Sequence, residues 1–350
     1  MMTGAAAEIH RPSDVEAYDR ALPLPRLVVV FTGGTISMRS SGGGNVPVLQ
    51  GAELLATVPG LADIADVEAI DWGLVPASHL SFAQVLDIGR VLARELARPD
   101  IDGAVVVQGT DVIEETAFAW DLLPLPAKPV VVVGAMRSAS QPGYDGPANL
   151  RDAILAAAES ALAAQGIAVV MAGEIHAADD VRKTHTHALD TFGSPNAGRL
   201  GVVTDAGVRL ERSRTPVRLP RLPDAPALPV PMLTVVLDSP PELAADPAGL
   251  VVAAAGGGNT PPAYLELARS LMARSVPVVL TTRCPSGSVQ PGYAFPGGSS
   301  QWWGSGVIFS GTLAALKARV LVALGVGAGL DAAALGAMCE GWGGGRSTTG

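Results

Sequence analysis

The sequence predicts an α/β protein in two parts. The larger N-terminal part is a doubly wound, mostly parallel sheet, and the smaller C-terminal part is a second parallel-sheet α/β unit. Three observations carry this reading. Short, uniformly apolar and β-branched runs alternate with longer segments of helical spacing, the pattern of strands buried on both faces and joined by right-handed crossovers. The alternation is interrupted once, by a Pro- and Arg-rich stretch over 205–231, and then resumes. The chain of 350 residues also suits two domains of about 100–200 residues each.

Taken in order, "LVVVF" from Leu27 reads as a buried strand ended by Gly33-Gly34. Residues 51–57 suggest a helix and "DVEAID" (66–71) a shorter strand. "SFAQVLDIGRVLARELA" (81–97) carries apolar residues at helical spacing with Ser81 as its cap. "GAVVVQ" (103–108) is a strand, "VIEETAFAWDLL" (112–123) a helix and "PVVVVGAM" (129–136) a strand. Helix 149–164 and strand 166–173 come next. "RSRTPVRLPRLPDAPALPVP" reads as an extended linker. After it come strands 232–237, 250–255 and 276–282 and helices 262–274, 311–324 and 331–340. The expected partition is a polar leader (1–25), an N-terminal α/β unit (26–210), a linker (211–231), a C-terminal α/β unit (232–342) and a flexible tail (343–350).

Composition narrows the function. The hydrophobic fraction of 48% and mean hydropathy of +0.34 supply two cores, while no uninterrupted apolar run reaches the ~18 residues of a spanning helix. No membrane association is expected. The N-terminus lacks a basic start followed by a long apolar core, so no secretory signal is read and the expected compartment is cytoplasmic. Cys284 and Cys339 can pair or stay free. A net charge of −9 without a run of Lys or Arg argues against nucleic-acid binding. Only three lysines occur, Lys128, Lys183 and Lys317.

In open parallel sheets ligands bind beyond the carboxyl ends of the strands. Thr32-Gly33-Gly34-Thr35 succeeds the first strand, Gln108-Gly109-Thr110-Asp111 the third, and a segment holding Lys183 comes after strand 166–173. Each has an ordinary explanation. Gly-Gly bends a chain and Thr35 caps the next segment; "TDVIEE" resembles a capping box; a lone lysine is usually solvated. The first motif is neither G-x-G-x-x-G nor a Walker loop, so nucleotide binding has little support. His185 and His187, two apart on one side of an expected strand, suggest a metal site with Asp179 and Asp180, but H-E-x-x-H spacing is absent and metal binding is disfavoured.

Together, "TGGTIS" (32–37), "GTDVIEETAF" (109–118), "PVVVVGAMR" (129–137), "DGPANLRDA" (145–153), "DDVRKTHTHALDTF" (179–192) and "SGTLAALKARV" (310–320) resemble the bacterial-type L-asparaginase and glutaminase-asparaginase family, in the family's order over roughly 27–325. The resemblance implies the two-domain asparaginase-like fold and an amidohydrolase with a threonine nucleophile, no metal and no organic cofactor. It also implies L-asparagine as substrate and a homo-oligomer, usually a dimer of dimers. Thr35, Thr110, Asp111 and Lys183 fall at the family's catalytic positions. Ser78 falls where the family holds the substrate α-carboxylate, and Asn259 near a position reached from a neighbouring subunit. The implied substrate-binding set is Gly34, Ala77, Ser78, Gly109, Asp111, Asn259 and Tyr293.

The chemistry agrees. A threonine hydroxyl attacks an amide only if a base takes its proton, and a lysine can be that base. Asp111 would pair with the substrate α-ammonium, and backbone N–H groups of the glycine turn or of Thr110 would hold the oxyanion. Whether Thr35 or Thr110 attacks stays open. Two departures stand out. The family's lid tyrosine falls at Asn45, and no tyrosine occurs between 19 and 143. The neighbouring subunit's glutamate falls near 294, in "SGSVQPGYAFPGGSSQ", which has no acid and offers Tyr293 instead. Two other readings keep the fold: the amidase subunit of an archaeal-type tRNA-dependent amidotransferase, and a non-catalytic amino-acid-binding protein.

Overall fold

The computed structural model describes residues 23–41, 44–47 and 50–346. The chain runs β1 (Arg26–Phe31), β2 (Met38–Ser41), β3 (Gly44–Pro47), α1 (Gly51–Leu55), β4 (Asp66–Asp71), α2 (Phe82–Leu96), β5 (Gly103–Val107), α3 (Ile113–Asp121) and β6 (Val130–Val133). It continues with α4 (Gly146–Ala158), β7 (Ile167–Met171), β8 (Glu174–Ala177), β9 (Arg182–Lys183), β10 (Phe192–Gly193), β11 (Gly201–Thr204) and β12 (Gly207–Leu210). Eight of these strands form one sheet in the order β12-β11-β8-β7-β6-β5-β1-β4. Strands β4, β1, β5, β6 and β7 are parallel, and β8, β11 and β12 add an antiparallel edge.

The central strands are apolar on both faces because both are covered. Every residue of β5, β6 and β7 is buried, with Val28, Val29, Val30, Val105, Val106 and Val131–Val133 fully so. Helix α2 starts as its cap predicts: the Ser81 hydroxyl accepts from the Gln84 N–H, and the Gln84 side chain accepts from the Ser81 N–H at 3.0 Å.

The chain leaves β1 toward β4 on one side and leaves β5 toward β6 on the other. The carboxyl ends of β1 and β5 therefore flank the point where the winding reverses, the usual ligand crevice of such sheets. Their register is level, with Phe31 opposite Val107, and the Thr32 N–H and hydroxyl both donate to the Val107 carbonyl, at 3.0 and 3.1 Å.

Beyond the Pro-rich stretch come β13 (Met232–Thr234), β14 (Leu250–Ala254), α5 (Pro262–Met272), β15 (Val278–Thr282), α6 (Ser299–Gly304), β16 (Ile308–Phe309), α7 (Ala315–Gly327), α8 (Ala332–Cys339) and β17 (Gly345–Arg346). The second sheet has the order β13-β14-β15-β16-β17 and is parallel except for β17. Residues 211–231 hold no helix or strand, yet they are fastened down. The Leu219 N–H donates to the Leu122 carbonyl, the Arg218 guanidinium to Leu125, and the Ala227 N–H to Ala323. The buried Arg214 Nη2 donates to both carboxylate oxygens of Asp121 at 2.7 Å, and its Nη1 meets Asp179 at 2.8 Å.

Several elements differ from expectation. The run 166–173 holds a strand and the start of a hairpin: Ala172 and Gly173 take φ of 51° and 76°, and the chain reverses into β8. Helix 149–164 begins three residues earlier, where Pro147 suits a first turn, and ends at Ala158 before a 3-10 segment, Ser160–Gln165. Helix 311–324 is displaced to 315–327, and strand 232–237 is cut to 232–234. The tail expected from 343 pairs with β16 through β17, and the Arg346 guanidinium donates to the Gly306 carbonyl. Residues 1–22 of the leader and 347–350 of the tail lie outside the described residues. Cys284 is exposed and Cys339 buried, both as free thiols.

Candidate active site

The first wall of the site is glycine. Gly34 has φ +97°, and a Cβ there would lie 2.1 Å from the Gly109 nitrogen and 2.3 Å from its Cα. A Cβ on Gly109 would in turn lie 2.9 Å from the Ala77 Cβ. The β1 turn, the β5 turn and the 3-10 turn Ala77–His79 thus meet backbone to backbone. Bare peptide there lets Thr35, which opens the 3-10 turn Thr35–Ser37, stand beside the turn that carries Thr110. Ala77 is buried, and Ser78 next to it is exposed.

The second wall is charged. The Lys183 Nζ donates to the Thr110 Oγ1 at 2.9 Å and to the Asp111 Oδ1 at 3.1 Å. The Lys183 side chain is only 18% exposed, against 63% for Asp111, so the lysine is not a solvated surface residue. Thr110 does not cap the following helix: neither the 3-10 turn Thr110–Val112 nor α3 has a side-chain cap, and the buried Thr110 hydroxyl is taken by Lys183 instead. Lys183 lies on β9, held by pairing with Phe192, and the Thr184 N–H and hydroxyl both donate to the Thr191 carbonyl, at 2.7 and 2.8 Å. Asp111, Glu114, Lys183, Thr184, His185 and Thr186 line an open cleft of about 610 Å3.

His185 and His187 do not share a strand face. They lie in a turn where the His185 Nδ1 accepts from the backbone N–H groups of His187 and Ala188, each at 3.0 Å. Asp180 accepts from Asn196 and Ala197, and Asp179 is engaged by Arg214 and by the Trp342 indole. Among the described residues no group of three or more His, Cys, Asp or Glu is arranged to hold a metal, and no helix is long and apolar enough to cross a membrane.

Asn259 and Tyr293 are not among the residues that line the Lys183 cleft. The Asn259 Oδ1 accepts from the Ser299 N–H at 3.2 Å, and the half-exposed Tyr293 ring lies 5.8 Å from that of Phe295. Within one chain, both belong to loops of the second sheet rather than to the Thr110–Lys183 pair. Asn45 lies on the hairpin strand β3, opposite Ser40.

The structure adds residues that motif reading left unassigned. Glu114 is buried, its Oε2 has no hydrogen-bond partner, and the Arg182 Nε stands 3.8 Å from it. Arg182 also donates to the Pro285 carbonyl at 2.9 Å, tying the second unit to the strand that bears Lys183. Lys317 on α7 is fully buried and donates to the Val181 carbonyl, two residues before Lys183. Burial pushes its pKa down to about 8, against the opposing pull of Glu114, Asp179 and Asp180. All three lie inside the motif stretches quoted above, but their contacts could not be read locally, because their partners are 68 to 136 residues away.

Two family models match the chain: Asparaginase, N-terminal, over residues 26–216, and Glutaminase/Asparaginase C-terminal domain, over residues 239–338. The chain belongs to the L-asparaginase family. It is therefore an amidohydrolase of that family on the two-sheet α/β fold described above. It is 33% identical to a probable periplasmic L-asparaginase of Haemophilus influenzae over 320 residues, covering 87% of this chain and 89% of that protein. It is 36% identical to a probable L-asparaginase of Deinococcus radiodurans over 306 residues, covering 85% and 92%. Against L-asparaginase 2 of Escherichia coli the identity is 31% over 322 residues, covering 87% and 89%.

Proposed function

We propose that this protein is an L-asparaginase, hydrolysing the side-chain amide of L-asparagine to L-aspartate and ammonia through a threonyl ester. The observation that carries the reading is the 2.9 Å contact between the Lys183 Nζ and the Thr110 hydroxyl, with the Asp111 carboxylate on the same amine. A neutral Nζ at this distance takes the hydroxyl proton without a bridging water. Asp111, the more exposed partner, turns a carboxylate oxygen to the cleft, where a substrate α-ammonium finds its counter-charge. In this reading the oxyanion takes its donors from backbone N–H groups of the glycine turn or of Thr110, each worth about 3 kcal/mol in such sites. Loss of ammonia leaves the ester, which water then cleaves with Lys183 again as base.

The active unit in this reading is a homo-oligomer, with Asn259 and Tyr293 presented to a neighbouring subunit's cleft. That role suits their placement on loops of the second sheet, outside the set of residues that lines their own chain's Lys183 cleft.

The test is ammonia release from asparagine by the purified chain without ATP or another protein, with glutamine run in parallel. Thr35→Ala and Lys183→Ala are expected to lower kcat by several orders of magnitude with the fold retained, and mass spectrometry of a quenched reaction locates the ester on Thr35 or Thr110. Tight asparagine binding without ammonia, or near-normal turnover in either variant, contradicts the assignment.

A further inference from the structure

Tyr144, on the loop between β6 and α4, reaches back to the first strand's turn. Its hydroxyl donates to the Ile36 carbonyl at 2.6 Å, 108 residues away in sequence. Ile36 comes directly after Thr35, lies inside the same 3-10 turn and is fully buried. Two residues further on, the chain enters β2 and the β2–β3 hairpin. The bond therefore joins the root of that hairpin, and the turn that presents Thr35, to a point outside both.

That point is rigid. The Asp145 carboxylate accepts from the Met136 and Arg137 N–H groups, each at 2.9 Å, and from the Asn149 amide at 2.9 Å. Asn149 also donates to the Gly134 carbonyl at 3.1 Å and accepts from the Ala172 N–H at 3.1 Å, which ties the loop to the ends of β6 and β7. The Tyr144 ring is fixed as well. It lies over Gly146, where a Cβ would come within 2.3 Å of the ring carbon bearing the hydroxyl. No side chain larger than hydrogen at 146 permits this seat.

We propose that Tyr144 is a positioning residue for amide hydrolysis, whose hydroxyl holds the Thr35 turn and the hairpin root in register with the sheet edge that carries the other catalytic groups. The proposal rests on the assignment of Thr35 to the reaction. Tyr144 touches the main chain beside Thr35 rather than its hydroxyl, so its effect is on where Thr35 stands. Burial, with Asp145 adding to it, pushes the phenol pKa up to about 12, so the hydroxyl stays a donor throughout the range in which an amidase is assayed. Displacing a reacting group by about 1 Å costs about 100-fold in rate, so even a partial release of this turn is measurable.

The test is Tyr144→Phe, which removes one oxygen and leaves the ring in its seat. Expected are a kcat for asparagine at least about 10-fold below wild type, a KM within about 2-fold, and an unchanged circular dichroism spectrum. Thr35→Ser, whose side chain reorients more freely, provides a readout that a merely structural role would not move. The effect of Tyr144→Phe in that background should differ from its effect in the wild type by about threefold or more. Hydrogen–deuterium exchange of the substrate-free protein needs no turnover. Peptides spanning 33–41 should exchange faster in Tyr144→Phe while those of β5 and β6 do not change. If the wild-type protein releases no ammonia, the proposed activity fails and exchange alone decides the tether. If the wild type is active and Tyr144→Phe matches it in kcat and in exchange over 33–41, the tether is overturned and the activity stands.

Discussion

Gly34→Ala tests the claim on which the site geometry depends, that two strand ends touch through bare backbone. Gly34 has φ +97°, where an L side chain costs about 1–2 kcal/mol. Its new methyl would sit 2.1 Å from the Gly109 nitrogen, so one turn must retreat by about 1.3 Å to reach an ordinary contact of 3.4 Å. Strain and lost packing together should cost about 3 kcal/mol, or roughly 6–12 °C in Tm at about 2–4 °C per kcal/mol for a unit of this size. The retreat separates the Thr35 turn from the Thr110 turn, so kcat should fall about 100-fold, more than the stability loss alone accounts for. Gly198→Ala is the control. Gly198 also has a positive φ, +74°, but a Cβ there meets nothing within 4 Å, so only the backbone cost of about 1 kcal/mol should appear and kcat should not change. Ammonia release and thermal melts on both variants decide it. A Gly34→Ala enzyme with kcat within about threefold of wild type and a Tm loss no larger than that of Gly198→Ala would refute the backbone contact.

Other perturbations separate binding from stability. Asp111→Asn keeps the shape but removes the charge proposed to meet the substrate α-ammonium; KM for asparagine should rise by about 10-fold or more, and an unchanged KM removes Asp111 from that role. Arg214→Met breaks a buried ion pair and leaves Asp121, whose pKa burial already raises, without its counter-ion. Unfolding should become easier by about 3–5 kcal/mol in denaturant, with kcat per folded molecule retained. Lys317 makes stability depend on pH. Its pKa is about 8 when folded and near 10.5 when unfolded, so between these values the unfolded chain binds the extra proton and the stability contribution rises with pH by about 1.4 kcal/mol per unit. Lys317→Met should lose that increment between pH 8 and 10 relative to wild type in urea titrations, and identical slopes would show that Lys317 does not titrate there.

Local signals carried most of the fold. The apolar runs at 27, 103, 129 and 166 are strands because a doubly covered parallel sheet asks for nothing else of its central strands, and Ser81 starts α2 as its hydroxyl dictates. The features that stayed hidden depend on contacts across the chain. The turn into β8 uses Ala172-Gly173 rather than an Asn-Gly signature. Strands β16 and β17 are two residues each and exist only as partners for a neighbouring edge.

The site divides along the same line. Thr35 follows β1 and Thr110 and Asp111 follow β5, and a parallel sheet sets those carboxyl ends side by side, so their grouping could be read. The same rule does not place Lys183: β8 runs antiparallel and carries the chain back to the amino end of β7, where the Ala178 N–H meets the Ile167 carbonyl, and only β9 brings the lysine to Thr110. The contacts of Tyr144, Arg182 and Lys317 could not be read, although Arg182 and Lys317 lie inside the quoted motifs, because each acts on a distant backbone carbonyl, an acceptor that every residue carries alike. Their shared target is informative. Ile36 and Val181 are held by side chains from other elements, and Arg182 ties the Lys183 strand to Pro285, so the segments bearing Thr35 and Lys183 are fixed from outside as well as by their own hydrogen bonds. Substitutions in α7 or in the β6–α4 loop should therefore alter kcat without touching substrate, and a search for activity-tuning positions belongs in those elements as much as in the glycine turns.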